Sequence, residues 1–139
     1  MFRRDVAGAH LARATAWLDD SERLFGQPPA AFVEATKDRD LAVFYLFLAI
    51  QECIDLAAHW VADEGWGPPD DAGSTFDVLA SRGVIGRDAA EQIRLAAGLR
   101  NRIAHGYALL DYHRVQAEAN VGIPALRTFL ALVAREAGL

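Results

Sequence analysis

The sequence has one cysteine, few long apolar runs and no excess of positive charge. Cys53 alone cannot form an intrachain disulfide, and its place inside an apolar run favours a small core residue over a nucleophile. The longest apolar run, residues 41–50, is about half of the ~20 residues that a membrane span needs. Residues 1–10 lack the apolar core of a signal peptide. We therefore expect a soluble protein of the cytoplasm that does not bind membranes.

The net charge of −5 argues against generic binding of nucleic acid over the whole surface, which a basic domain would favour. The charge is unevenly distributed, however. Between residues 82 and 114, six arginines stand against two aspartates and one glutamate, a local balance of +3 that leaves −8 for the rest. Chance clustering at helix ends explains this basic segment as well as a polyanion site does, unless reactive groups also lie there.

The sequence also lacks the spacings of common metal and phosphate sites. Its four histidines have no HExxH or CxxC companion, so we expect no metal site and no cofactor. The absence of a glycine-rich phosphate loop argues against a nucleotidyltransferase, so any ATP-dependent step would belong to a partner.

The apolar residues recur at helical spacing through most of the chain, and neither an alternating strand pattern nor a repeat occurs. The predicted helices cover residues 5–24, 30–36, 41–63, 75–82, 87–100 and a last region after residue 107. The length suits one domain over residues 1–139. We predict an all-α fold, an antiparallel bundle of four to five helices.

Capping residues and helix breakers set the expected helix ends. Residues 38–40 are acidic candidates for the N-terminal cap and first turn of the long helix. Ser74 and Asp77 resemble a capping box for the short helix that follows. Gly122 and Pro124 are expected to interrupt or kink the last helix.

The long helix over residues 41–63 carries both an apolar start and a polar stripe. The apolar start implies burial by neighbouring helices or by a second subunit. Gln51, Asp55 and His59 follow at positions i, i+4 and i+8 and so share one face. They either face solvent and pair with each other, or line a cleft.

Residues 99–112, LRNRIAHGYALLDY, concentrate an imidazole, two guanidiniums, an amide and two phenols near a helix end. Cleavage of an RNA phosphodiester needs a base for the 2′-hydroxyl, an acid for the leaving oxygen and donors for the charge at phosphorus. The imidazole of His105 can act as base or acid, and the guanidinium of Arg100 offers paired donors. By composition alone, however, a histidine at a helix end near an arginine is more often structural than catalytic.

The spacing of Arg100 and His105 constrains how they could act together. Five residues correspond to about 140° around an ideal helix, so the two side chains do not share a face. Convergence on one phosphate requires the helix to loosen before Gly106, or two copies of the motif to meet across a symmetric dimer interface.

The R-x4-H-x-Y pattern of residues 100–107 resembles the HEPN motif of the HepT-like toxins, including the polar residue directly after the arginine. Residues 40–60 and 76–85 resemble further family stretches in type and order, so the resemblance covers roughly residues 38–117. Two positions depart from the family pattern. Gly106 stands where a bulky or acidic residue is frequent, and Ala108 where a tryptophan often follows the tyrosine.

The resemblance implies a dimeric HEPN bundle that acts as the RNase toxin of a toxin–antitoxin system without a metal. Arg100 and His105 would be the catalytic pair, with Asn101, Arg102 and Tyr107 in support. The polar stripe would supply cleft-lining residues. The implied partners are the RNA substrate, a second copy of the chain and a minimal nucleotidyltransferase antitoxin. In some systems the antitoxin attaches AMP to the motif tyrosine, here Tyr107, and so blocks the site.

Two other functions stay open. The chain could be a helical module that holds a nucleotide or RNA without cutting it, or a structural dimerisation partner of a nucleotidyltransferase. Because no base-reading constellation is recognisable, the sequence does not predict which RNA is bound or cut.

Overall fold

The computed structural model describes residues 3–68 and 70–139, and the chain start and the predicted loop near residue 69 fall partly outside these residues. Within the described ranges the chain forms six α-helices and one 3-10 turn, with no strand. The elements are α1 (Arg4–Phe25), α2 (Pro29–Glu34), α3 (Thr36–Asp63), α4 (Ala72–Ser81), α5 (Arg87–Gly106), the 3-10 turn (Tyr107–Leu109) and α6 (Tyr112–Glu136). The predicted all-α helical bundle is confirmed, with α2 and α4 as its short members.

Helix α3 forms the centre of the core, because each of the other five α-helices packs against it. Its apolar residues run round most of its circumference, so several neighbours are needed to bury them. Phe76 of α4 and Phe129 of α6 meet edge to face beside it, with ring centroids 5.4 Å apart. Both rings are fully buried. The motif helix α5 packs against α3, α4 and α6 and is thereby held against this core.

By length and composition alone, α3 and α6 would each be long enough to cross a membrane. In α3, 50% of the most apolar 18-residue stretch is buried inside the protein, as in the core helix of a bundle. Cys53 lies in this helix and is completely buried, and burial raises the pKa of its thiol above the usual range. The prediction that Cys53 is a core residue is confirmed.

The long helix α3 begins earlier than the sequence indicates. Its first residue is Thr36, its N-cap is Ala35, and Asp38 lies in the first turn. The assignment of the cap to residues 38–40 was therefore wrong, whereas the prediction that this group supplies an acidic residue to the first turn is confirmed. The apolar run begins at Leu41 and its first buried residue is Ala42, whereas the backbone is already helical from Thr36.

The capping box of α4 also lies elsewhere. Asp71 Oδ1 accepts a hydrogen bond from the Ser74 backbone nitrogen at 2.7 Å, and Ser74 Oγ accepts one from the Asp71 nitrogen at 3.0 Å. The predicted box of Ser74 and Asp77 is thus wrong by three residues. Asp77 instead accepts a hydrogen bond from Arg94 on α5.

Helix α6 runs through Pro124 without a break, so the predicted interruption is wrong. Proline removes one helical hydrogen bond, to the carbonyl of Asn120, but that residue is exposed to water. Gly122 is buried, and a Cβ added there would lie 3.7 Å from Ala96 Cβ of α5, which is an ordinary van der Waals contact.

Candidate functional site

Arg100 lies half-buried on α5, facing α3. Its Nε donates a hydrogen bond to Gln51 Oε1 at 3.0 Å, and its Nη1 donates one to Asn101 Oδ1 at 3.1 Å. The guanidinium carbon lies 5.1 Å from the centroid of the Phe47 ring. Both acceptors are neutral amides, so they fix the guanidinium without cancelling its charge.

The neighbouring arginines of the basic segment are paired with carboxylates. Arg94 binds an aspartate of α4 at 2.8 Å. Arg102 and Arg114 both bind Glu118, which lies between them on α6. Among the contacts of the described residues, Arg100 has no carboxylate partner, and neither do Arg82 and Arg87 of the same segment. Within the motif, the positive charge is therefore less compensated at Arg100 than at Arg102.

The polar stripe of α3 reaches the motif through Gln51. Its Nε2 donates a hydrogen bond to Asp55 Oδ1 at 3.0 Å, while its carbonyl oxygen accepts from Arg100. Gln51 and Asp55 thus pair with each other, as one alternative held, and also support the motif arginine. His59 is exposed one turn further along, where its ring lies 5.6 Å from that of His10. The stripe therefore leads away from Arg100 towards α1.

His105 is exposed in the last turn of α5 and lines a surface groove of about 490 Å³. Asn101, Arg102 and Arg114 line the same groove. The helix continues to Gly106, so it does not loosen before that residue. His105 consequently faces the groove beside α6, and the expected separation from the arginine persists within one chain. Asn101 joins the two regions, since it contacts the arginine and lines the groove.

Tyr107 lies in the 3-10 turn after α5, with 66% of its surface exposed. It lines an apolar pocket of about 260 Å³ together with Phe44, Phe47 and Tyr112. Phe47 also contacts the motif arginine, so the pocket and the guanidinium share a wall. Tyr107 is thus accessible from solvent and close to the Arg100 side of α5.

Gly106, one of the two departures from the family pattern, does not impose an unusual backbone. Its φ of −145° is open to any residue, and an added Cβ would meet no atom within 4 Å. A larger side chain would be accepted here without strain. The backbone before Tyr107 therefore has a conformation that does not require glycine at position 106.

A second polar cluster lies between α1 and α3, and the sequence analysis did not find it. His10 and Arg13 of α1 both contact Glu52 of α3. Burial raises the pKa of the Glu52 carboxyl. The hydrogen bonds from Arg13 and His10 together outweigh this effect, so the pKa lies below its usual value. Donor atoms of His10, Glu52 and Asp55 lie within 4.8 Å of one another, close enough to hold a metal ion. A search for ligands at short spacing cannot detect a group drawn from two helices.

Glu118 and Phe47 are the other site residues that the sequence analysis missed. Glu118 follows Arg114 by four residues, a spacing that indicates an ion pair on one helix face. Its simultaneous contact with Arg102 has no such local signal. Phe47 could not be told from the other apolar residues of α3 by its sequence position.

The helical bundle has the same fold as several solved structures, including HEPN toxins. A tri-AMPylated Shewanella oneidensis HEPN toxin in complex with an MNT antitoxin gives a TM-score of 0.85 at 20% identity, covering 94% of this chain and 98% of that chain. A toxin–antitoxin structure with AMP-PNP gives 0.82 at 19% identity, with coverage of 93% and 98%. Bacillus subtilis YutE, a cytosolic protein of unknown function, gives 0.74 at 13% identity, with coverage of 92% and 88%.

The family described as Ribonuclease HepT-like matches residues 16–133. The chain belongs to this HepT-like ribonuclease family, as the motif of residues 100–107 indicates. An Archaeoglobus fulgidus protein named as a candidate RNase is 36% identical over 70 residues, which make up 50% of this chain and 52% of that protein. The chain thus spans about half the length of this curated relative.

Proposed function

We propose that the chain is the toxin of a HEPN/MNT toxin–antitoxin system and cuts RNA in the cytoplasm as a metal-independent endoribonuclease. Membership of a ribonuclease family supports the activity. The observation that carries the proposal is the charge state of the motif: Arg100 is anchored by two neutral amide oxygens, while His105 lies exposed beyond Asn101. A fixed cation without a carboxylate partner, in the same motif as an accessible imidazole, suits a phosphodiester substrate.

The cleavage needs only groups that the chain supplies. The 2′-hydroxyl of RNA attacks the adjacent phosphorus, and the bond from phosphorus to the 5′-oxygen breaks. His105 takes the proton of the attacking hydroxyl while water protonates the leaving oxygen, or His105 protonates the leaving oxygen while water takes the hydroxyl proton. A guanidinium has five N–H donors, and hydrogen bonds to Gln51 and Asn101 occupy two of them in Arg100. The others are available to the phosphate oxygens as negative charge builds.

We propose that this site is completed across a homodimer. Helix α5 stays helical to Gly106, so Arg100 and His105 of one chain address different surfaces. Leu41 and Phe44 are 42% and 52% exposed, a surface that a second copy would bury. They lie three residues apart on the face of α3 that continues to Gln51, so an interface there would bring a second motif close to the first.

Tyr107 is the proposed point of neutralisation by a nucleotidyltransferase antitoxin. Its phenolic oxygen would attack the α-phosphorus of ATP bound to the antitoxin, forming a Tyr–AMP bond, releasing pyrophosphate and passing the phenol proton to a base or water. The exposure of Tyr107 allows this reaction. The anionic adduct would lie beside the wall that Phe47 shares with Arg100, where it would obstruct and repel an RNA phosphate.

The test compares purified wild type with Arg100→Ala and His105→Ala on labelled RNA in the presence of EDTA. Each variant should lose about 10²-fold or more in cleavage rate, because each removes a group acting on the transition state. Arg94→Ala and His113→Ala are matched controls, since these residues are exposed and lie outside the motif. They should cut like wild type and arrest growth when expressed in bacteria.

Other outcomes contradict the proposal. RNA that is bound but never cut by wild type identifies a non-catalytic binding module. Harmless behaviour of wild type and all variants, with no RNA binding, identifies a structural dimerisation partner. Cleavage that EDTA abolishes rules out the metal-independent mechanism.

A further inference from the structure

The polar cluster between α1 and α3 contains an unusual set of donor atoms outside the motif. His10 Nδ1 contacts one oxygen of Glu52, and Arg13 Nε donates to the other at 2.8 Å. Asp55 lies one turn after Glu52, so both carboxylates project from the same side of α3. The donor atoms of His10, Glu52 and Asp55 lie within 4.8 Å of one another, and all three residues are half-buried.

Among the contacts of the described residues, the charge of this cluster is not balanced. Two carboxylates face one guanidinium, which leaves one negative charge when the imidazoles are neutral. Arg13 pairs with Glu52, whereas the hydrogen-bond partner of Asp55 among the described contacts is the neutral amide of Gln51. A half-buried negative charge beside an imidazole nitrogen favours the arrival of a cation.

We propose that His10, Glu52 and Asp55 form a binding site for a transition-metal dication of the Zn²⁺ type. One imidazole nitrogen with two carboxylate oxygens is a ligand set that Zn²⁺ accepts. Mg²⁺ and Ca²⁺ prefer oxygen donors alone, so the imidazole selects against them. Water would supply the fourth ligand, because the neighbouring His59, whose ring centroid is 5.6 Å from that of His10, is not among the residues whose donor atoms lie within 4.8 Å of one another.

The site would act on the fold and not on the cleavage chemistry. His10 comes from α1 and the two carboxylates come from α3, so a bound ion would tie together two helices that already pack extensively. The unfolded chain does not hold these ligands in place, so binding would stabilise the native state. The inference stands independently of the proposed RNase activity, because it uses no motif residue.

The test is a titration of metal-free protein with ZnCl₂, followed by calorimetry and by the change in Tm. Glu52→Gln and His10→Gln should each weaken Zn²⁺ binding at least about tenfold and remove the rise in Tm. Arg13→Gln keeps all three ligands but removes the competing cation, so it should bind Zn²⁺ more tightly than wild type. His113→Gln, an exposed histidine elsewhere, should match wild type, and MgCl₂ should have no effect.

Two results would overturn the site. The first is an absence of Zn²⁺ binding by folded wild type. The second is binding that survives both Glu52→Gln and His10→Gln, or that His113→Gln reduces equally, as expected for surface histidines in general. The opposite shift in Arg13→Gln separates loss of a ligand from loss of folding. RNA cleavage in EDTA is measured separately, so failure of the metal site and failure of the RNase proposal give different results.

Discussion

The Nε atom of Arg100 donates a hydrogen bond to Oε1 of Gln51 at 3.0 Å, joining α5 to α3 at the motif. A neutral acceptor orients the guanidinium and leaves its charge available, whereas a carboxylate at the same distance would form an ion pair with it. Position 51 therefore controls how much positive charge a phosphate would meet at this site.

Replacing Gln51 by glutamate should reduce RNA cleavage about tenfold or more, equivalent to ~1.4 kcal/mol. The new carboxylate would pair with Arg100 and compete with the substrate phosphate, so KM should rise more than kcat falls. Steady-state kinetics on a labelled oligonucleotide measures both. Asn120→Asp places a similar charge on the exposed face of α6 and should have little effect. An unchanged KM in Gln51→Glu contradicts the proposed role of Arg100.

Mixing two inactive variants should restore activity if the site is shared between protomers. A heterodimer of Arg100→Ala and His105→Ala chains retains one intact arginine and one intact histidine, on different protomers. Each heterodimer then has one complete site, so the cleavage rate of the mixture should rise towards the rate expected for one active site per heterodimer. The variants are mixed, unfolded and refolded together, and cleavage is compared with each variant treated alone.

A shared site also depends on the exposed face of α3. Phe44→Glu places a charge in the proposed interface and should yield a monomer by light scattering, with cleavage lost although the motif is intact. No recovery of activity in the mixed variants, together with an active monomer of Phe44→Glu, places the whole reaction within one chain.

Tyr107→Phe should abolish addition of AMP by the antitoxin while RNA cleavage stays within about threefold of wild type, ~0.6 kcal/mol. The substitution removes the phenolic oxygen but keeps the ring against the apolar pocket. Intact mass spectrometry after incubation with antitoxin and ATP detects the adduct. Tyr112→Phe tests a neighbouring tyrosine of the same pocket and should still be modified at Tyr107. An adduct on the Tyr107→Phe chain contradicts the assignment.

The capping box of α4 gives the bundle a specific dependence on acid. Hydrogen bonds from the backbone and side chain of Ser74 lower the pKa of Asp71 below its usual value. Its ionised form therefore stabilises the folded state above the unfolded pKa of about 3.9, and this contribution is lost as the pH falls through the folded value. Urea unfolding between neutral and acid pH measures the effect.

Two variants separate the cap from its charge. Asp71→Asn keeps an acceptor for the helix N-terminus and should be stable at neutral pH with a weaker dependence on acid. Asp71→Ala should be less stable at neutral pH and should approach wild type as the pH falls. Parallel pH profiles for wild type and Asp71→Ala would contradict an ionised cap.

The sequence predicts helices and the motif well because both signals are local. Helical periodicity identifies α3, and R-x4-H-x-Y identifies the family without knowledge of packing. The contact of Gln51 with Arg100 depends on the rotation of α3 against α5, which periodicity does not specify. The earlier start of α3, one turn before residue 41, has the same origin, because exposed residues can be helical without an apolar signal.

Competing local patterns explain the remaining errors. Ser74 followed by Asp77 matches a capping box, but the preceding Asp71 forms one with Ser74 itself. Pro124 is a helix breaker in isolation, yet α6 continues through it, and Asn120, whose carbonyl cannot pair with the proline nitrogen, is an exposed residue. The cluster of His10 and Glu52 joins residues on two helices and has no sequence signature.

The complete burial of Cys53 has a practical consequence for studying the assembly. It is the only cysteine of the sequence, and in the folded protein its inaccessible thiol would not react with maleimide dyes or nitroxide spin labels. A single cysteine introduced at the exposed Val121 would then be the one reactive handle per chain. Distances between two such labels would report the geometry of a dimer without first altering the native interior.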